Sequence, residues 1–351
     1  MKKKNILLTV TVIASAAISM AGCDAIKDSN SNLNLGMDAI EAQDYSGALG
    51  YFDEAINKGE DLRLSYRGQG MAYMGVGEYD NACKSFAKAL HQSNGLVKKV
   101  DYDISYYLAV AELKAGEIDK AYETYSAILA LNKRSADAYF LRGRVELIRG
   151  NKDSAKADFD KAVELKPSDY NLYIGICEDL EAAGYEAEGK SYIERAMESG
   201  SKKNDYQLGM LNYYMGQYDE AKNYLEKSRE SSDSEKVLLY LGKCYEALGD
   251  MNYAATLYSG YVDTENASAA VYNELGLMYI KQQDYRSALD AFESGIALND
   301  MTYMQSLKFN EIVAHEYLAD FDKASVLMKE YLETYPNDEE AQRENMFLST
   351  R

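Results

Sequence analysis

The chain has 351 residues, of which 47% are hydrophobic and 27% charged, with a net charge of −19. So acidic a body repels nucleic acid and anionic membrane surfaces alike, which argues against polyanion binding. Cys83, Cys177 and Cys244 are widely spaced and offer neither a C-x-x-C pair nor a disulfide framework, so they read as buried thiols acting as small hydrophobes.

The first element in chain order is a leader. Lys2, Lys3 and Lys4 precede an apolar run from Ile6 to Ile18, too short for a span of about 20 residues. A basic start, a short apolar core and small residues before a cleavage point are the pattern of a secretory signal. Met20-Ala21-Gly22-Cys23 resembles the bacterial lipobox. The resemblance implies that residues 1–22 are removed, that Cys23 becomes the lipidated N-terminus, and that 23–28 form a short linker. Without the three lysines, residues 23–351 carry −22. Such a body would not reach a membrane by electrostatics, whereas two acyl chains suffice for stable anchoring. The expected location is the extracytoplasmic face of a bacterial cell membrane. Asp24 resembles an inner-membrane retention signal of enterobacterial envelopes.

From residue 29 to 336 the chain repeats itself. In "GMDAIEAQDYSGALGYFDEA" (36–55), "GMAYMGVGEYDNACKSFAKA" (70–89) and "GRVELIRGNKDSAKADFDKA" (143–162), Gly is followed by Ala, Phe and Ala at the same three distances. Copies starting at Gly209, Gly242 and Gly276, and weaker ones around Ala109, Cys177 and Ile312, keep that frame. The spacings are 34, 39, 34, 34, 32, 33, 34 and 36 residues. The pattern resembles the tetratricopeptide repeat, a helix–turn–helix unit of about 34 residues. The implied fold is all-α: a right-handed α-solenoid of about nine repeats.

Each copy offers two helical stretches. Gly77, Gly116, Gly150, Gly184, Gly216 and Gly249 recur where a first helix would end in a left-handed residue. An acid follows, as at Asp80, Asp119, Asp153, Asp219 and Asp250, facing the positive end of the second helix. Small residues, such as Gly70 against Ala82 or Gly209 against Ala221, let the two helices approach. Phe52, Phe86, Tyr125, Phe159, Tyr258 and Phe292 fill the space between neighbouring units. Pro167 and Pro336 fall just beyond second helices, where they stop a helix without breaking it. Five extra residues within "HQSNGLVKKVDYD" (91–103) read as a longer loop, with a bend between two sub-arrays as the alternative. Residues 337–351 are expected to form a capping helix over the last repeat.

Little in the array suggests chemistry. His315 lies in "AHEYLAD" with no second His one turn on, so the zinc-protease motif fails. No catalytic residue, cofactor or metal is expected. The reading is a non-catalytic scaffold for protein–protein interaction in assembly or organisation of a cell-envelope complex. The alternative is a surface lipoprotein that captures a glycan or peptide nutrient, although tryptophan, the favoured sugar-stacking residue, is absent. In this family the first helices line a concave groove through the second, fifth, ninth, twelfth and thirteenth repeat positions. Carried onto this chain, the resemblance assigns Tyr106 and Val110, then Phe140, Arg144 and Leu147. It further assigns Lys203, Tyr206, Met210, Tyr213 and Tyr214, then Lys236, Leu239 and Lys243, and finally Phe309 and Tyr317. The expected occupant is an extended or helical segment of a partner protein, apolar in part and not strongly basic, across repeats three to seven.

Overall fold

The computed structural model describes residues 31–350 apart from 94, 232, 233, 301 and 337. The leader and Cys23 lie outside the described residues. Among the described residues there are nineteen α-helices and no strand, so the expected all-α class holds.

Two compact units divide the chain between Tyr192 and Ile193, inside α10 (Glu186–Glu198). The first contains α1 (Asn32–Glu41), α2 (Tyr45–Lys58), α3 (Leu62–Gly75), α4 (Tyr79–His91), α5 (Lys99–Lys114), α6 (Ile118–Leu131), α7 (Ala136–Ile148), α8 (Lys152–Leu165), α9 (Tyr170–Ala182) and the start of α10. The second contains the end of α10, then α11 (Asp205–Tyr214), α12 (Tyr218–Ser231), α13 (Glu235–Ala247), α14 (Met251–Val262) and α15 (Ala269–Lys281). It continues with α16 (Tyr285–Ala297), α17 (Met304–Tyr317), α18 (Phe321–Thr334) and α19 (Glu339–Leu348). Within each unit, successive helices pack on one another. Odd-numbered helices also meet the next odd one (α1 with α3, α3 with α5 and α7 with α9 in the first unit; α11 with α13, α13 with α15 and α15 with α17 in the second). They form one layer of each unit, and the expected groove residues other than Lys203 lie on them.

The turns explain why each hairpin closes alike. Gly77, Gly116, Gly150, Gly184, Gly216 and Gly249 all take φ between 76° and 88°. The next amide then reaches back to the last turn, as in Glu78 N to Tyr73 O at 2.9 Å and Asp250 N to Tyr245 O at 2.8 Å. Three hairpins keep that bond without a glycine: Gln43, Gln283 and Ala319 hold φ of 59°, 63° and 59°. Asp44 N, Asp284 N and Asp320 N still donate to carbonyls five residues back, at 2.8–2.9 Å. This hydrogen bond and the aspartate cap beside it together offset the left-handed penalty of about 1–2 kcal/mol per residue. Asp44, Asp250, Asp284 and Asp320 then cap the second helix through their carboxylates.

The core is built from rings seated on glycines. A β-carbon on Gly36 would lie 2.8 Å from the Phe52 ring, on Gly70 2.6 Å from Phe86, on Gly143 2.6 Å from Phe159, and on Gly242 2.3 Å from Tyr258. The glycine's close partner is therefore the ring sixteen residues on rather than the alanine of the second helix. Phe52, Phe86, Tyr125, Phe159, Tyr258 and Phe292 are all fully buried, and each such side chain contributes about 1.5–3 kcal/mol. Phe52 also faces Gly68 of the next repeat, where a β-carbon would lie 2.2 Å away. One ring thus serves its own repeat and its neighbour.

Cys177 and Cys244 are buried, whereas Cys83 is only partly so, which corrects its reading as a buried thiol. Burial pushes the Cys244 thiol up to about 12 and that of Cys83 to about 11, so neither is a ready nucleophile. The extra residues of 91–103 lengthen two elements: the connection from α4 to α5 runs over 92–98, and α5 has 16 residues against 10–14 elsewhere. A shallow cavity of ≈ 200 Å³ opens beneath that connection, lined by Leu90, Val97, Tyr102 and Leu131 among others.

Candidate protein-binding face

In the first unit, α5 and α7 hold the expected groove residues, and most are occupied by contacts within the chain. Tyr106 bonds the Ser135 hydroxyl at 2.7 Å, and Ser135 is itself the cap of α7. Its ring packs 6.2 Å from Tyr125, so Tyr106 ties one repeat to the next. The Phe140 ring lies 6.0 Å from Phe159 and directly over Gly175, where a β-carbon would come within 3.1 Å.

Arg144 sits over the Phe140 ring at 5.7 Å and reaches across to α9, where its Nε lies 2.9 Å from Asp179 Oδ2. Burial pushes the Asp179 carboxyl up to about 7, against the opposing pull of Arg144. The same device recurs earlier: Arg67 on α3 donates to Asp103 on α5 at 2.7 Å and lies 5.4 Å from the Tyr107 ring. A base on one odd helix thus clamps an acid on the next. The recurrence of a base and an acid 35 or 36 residues apart is the signal in the sequence that finds both pairs.

The second unit carries a different surface. On α11, Tyr213 meets the rings of Tyr214 at 5.2 Å, Tyr218 at 5.7 Å and Tyr240 at 5.1 Å, in edge-to-face geometry. The hydroxyls of Tyr214 and Tyr240 are hydrogen-bonded at 2.6 Å. All four tyrosines are half-buried, and burial pushes the Tyr213 hydroxyl up to about 12. Tyr218 and Tyr240 are not among the expected residues: Tyr218 opens α12, a second helix, and Tyr240 falls between the groove positions of α13. Tyr206 is half-buried and packs against the same unit's core. Lys243 lies 3.3 Å from Glu274 on α15 and 5.7 Å from the Tyr240 ring.

Several assignments need correcting. Met210 is fully buried and Leu147 is 4% exposed, so both are core residues that no partner can touch. Lys203 donates to the carbonyls of Met197 and Ser199 at 3.1 and 2.9 Å, closing the end of α10. Arg144 and Lys243 are paired with acids, so these two do not supply the surplus positive charge expected of the groove. Tyr317 is 54% exposed and stacks on Tyr285 at 4.7 Å, while Phe309 packs on Tyr331.

The chain matches the tetratricopeptide repeat family over residues 67–132, 106–170 and 206–271, and a further match to these repeats covers 269–300. Among curated proteins it is similar to a TPR repeat-containing protein of Methanocaldococcus jannaschii, with 26% identity over 253 residues, covering 68% of this chain and 43% of that protein. It is also similar to BBSome complex member BBS4 of Bos taurus, with 21% identity over 224 residues, 63% of this chain and 37% of that one. The chain therefore spans less than half the length of these curated relatives. A solved tetratricopeptide repeat protein from Parabacteroides merdae aligns over 72% of this chain and 99% of its own, at 12% identity and a TM-score of 0.48. Repeats of this kind typically act as non-catalytic scaffolds for other proteins. With more than half its residues matched and the ring-on-glycine hairpin recurring along it, the chain belongs to the tetratricopeptide repeat family.

Proposed function

We propose that the protein is a membrane-anchored, non-catalytic scaffold that holds a segment of another protein against its odd-helix layer, in assembly or organisation of a cell-envelope complex. The observation that carries the binding half is the cluster of Tyr213, Tyr214, Tyr218 and Tyr240. Tyrosine offers a large contact area at low entropic cost and a hydroxyl that can pair with backbone, which suits an extended or helical segment that is apolar in part. With Arg144 and Lys243 neutralised, these side chains do not exclude a basic partner, and the net charge of −19 favours a neutral or basic one at long range. The anchor rests on Lys2 to Lys4, the apolar run and Cys23.

A photo-crosslinking residue placed at Tyr214, compared with one at the exposed Asn223 on α12, tests the binding half in cells. Crosslinks to one protein from position 214 and not from 223 are expected. Equal crosslinking from both, or capture of a purified glycan by the tyrosine face, overturns the reading. For the anchor, Cys23→Ala is expected to leave the membrane fraction or remain unprocessed; a wild-type protein that is already soluble removes it.

A further inference from the structure

The geometry points to a divalent-metal site in the second unit, formed by Glu293 on α16 with Glu311 and His315 on α17. One ligand atom from each lies within 4.8 Å of the others. Glu311 and His315 are four residues apart and share a helix face, and Glu293 comes from the neighbouring helix. His315 is only 7% exposed, and neither Nδ1 nor Nε2 has a hydrogen-bond partner. An imidazole buried in that state is costly, and most buried polar side chains avoid it. A cation held by one ring nitrogen and the two carboxylates relieves it.

The surroundings fit. Asp320 Oδ2 lies 3.3 Å from His315 Nδ1, at ion-pair distance but without hydrogen-bond alignment. A metal on one ring nitrogen leaves the proton on the other, and a carboxylate beside a ligating histidine is the usual way to hold that proton. Burial, and then the charge of Glu293, raises the Glu311 carboxyl, while Lys323 and Lys308 pull it the other way. A dication between the two carboxylates removes their repulsion. One imidazole and two carboxylates favour a borderline ion such as Zn²⁺, with water as fourth ligand. Ca²⁺ and Mg²⁺ are hard ions that prefer all-oxygen shells, so the imidazole ligand disfavours both. Closing on zinc at about 2.0–2.2 Å from each donor asks mainly for rotation of the two flexible glutamate side chains. The sequence expectation of no metal looked for a second histidine one turn on; here the other ligands are glutamates, one of them from a different hairpin helix.

The full mature chain, stripped with a chelator, should bind one equivalent of Zn²⁺ in calorimetric titration and show no heat with Ca²⁺ or Mg²⁺. Co²⁺ should produce visible absorption that saturates at one equivalent. Glu293 is exposed, so Glu293→Gln keeps the fold and is expected to abolish saturable binding. Asp320→Asn preserves the cap of α18 and should weaken affinity by about 10–100-fold. His315→Ala should also lose binding, and Glu293→Gln decides the matter if that variant unfolds. Absence of Zn²⁺ binding, or equal affinity in wild type and Glu293→Gln, overturns the site.

Discussion

A β-carbon on Gly276 would sit 2.3 Å from Cε1 of Phe292, a separation no packed interior accepts. Gly276→Ala should therefore destabilise by about 1–3 kcal/mol, the usual cost of overpacking. Gly50 and Gly260 lie inside helices with nothing within 4 Å of a built β-carbon. Gly50→Ala should instead stabilise by about 0.5–1 kcal/mol. Urea denaturation of the two variants checks the opposite signs. Two effects of the same sign would contradict the ring-on-glycine account.

The left-handed turn positions make a second paired prediction. Ala319 holds φ of 59° and Gly249 φ of 88° in equivalent turns. Ala319→Gly is expected to raise stability by about 1 kcal/mol, and Gly249→Ala to lower it by about 1–2 kcal/mol. Thermal melts of the two variants suffice, and a stabilised Gly249→Ala would show that the turn had reorganised.

The Arg144–Asp179 clamp is nearly dry, with side chains 13% and 9% exposed. Asp179→Ala strands a buried guanidinium and should cost about 3–5 kcal/mol, whereas Arg144→Met combined with Asp179→Leu should restore most of that loss. A double variant no more stable than Asp179→Ala would mean that the pair itself, and not the stranded charge, sets the cost.

Acidification should strengthen the last repeats. Burial, and then the charge of Glu344 on α19, pushes the Glu316 carboxyl up to about 7. A folded pKa above the unfolded one means the contribution is complete below about pH 4.5 and is lost as pH rises through about 7. The melting temperature should fall between pH 5 and 8, and Glu316→Gln, which mimics the protonated acid, should flatten part of that fall. An unchanged slope in Glu316→Gln would remove Glu316 from the account.

The hairpins were legible in the sequence because their causes are local. Gly249 must tolerate a positive φ, and Phe86 needs a glycine sixteen residues earlier, so both leave marks at fixed intervals. The turns at Gln43, Gln283 and Ala319 left no glycine mark, since a backbone hydrogen bond and the following aspartate cap hold them instead. The binding face was legible only as a set of helix positions. Whether Arg144 is free depends on Asp179, 35 residues away on another helix. Met210 likewise disappears into the core through packing that a repeat position does not encode.

The separation of glycine and ring holds at sixteen residues in Gly36/Phe52, Gly70/Phe86, Gly143/Phe159, Gly242/Tyr258 and Gly276/Phe292, while the one five-residue excess falls between α4 and α6. Growth in length is thus absorbed in the connection before α5 and in the start of α5, outside every sixteen-residue stretch between a glycine and its ring. Residues 95–97, exposed in that connection, form a natural splice point: an epitope tag or a fluorescent reporter inserted there would lengthen a strap and leave the phase of every downstream hairpin untouched. The same insertion between Gly242 and Tyr258 would throw the ring out of its socket and dephase everything after it.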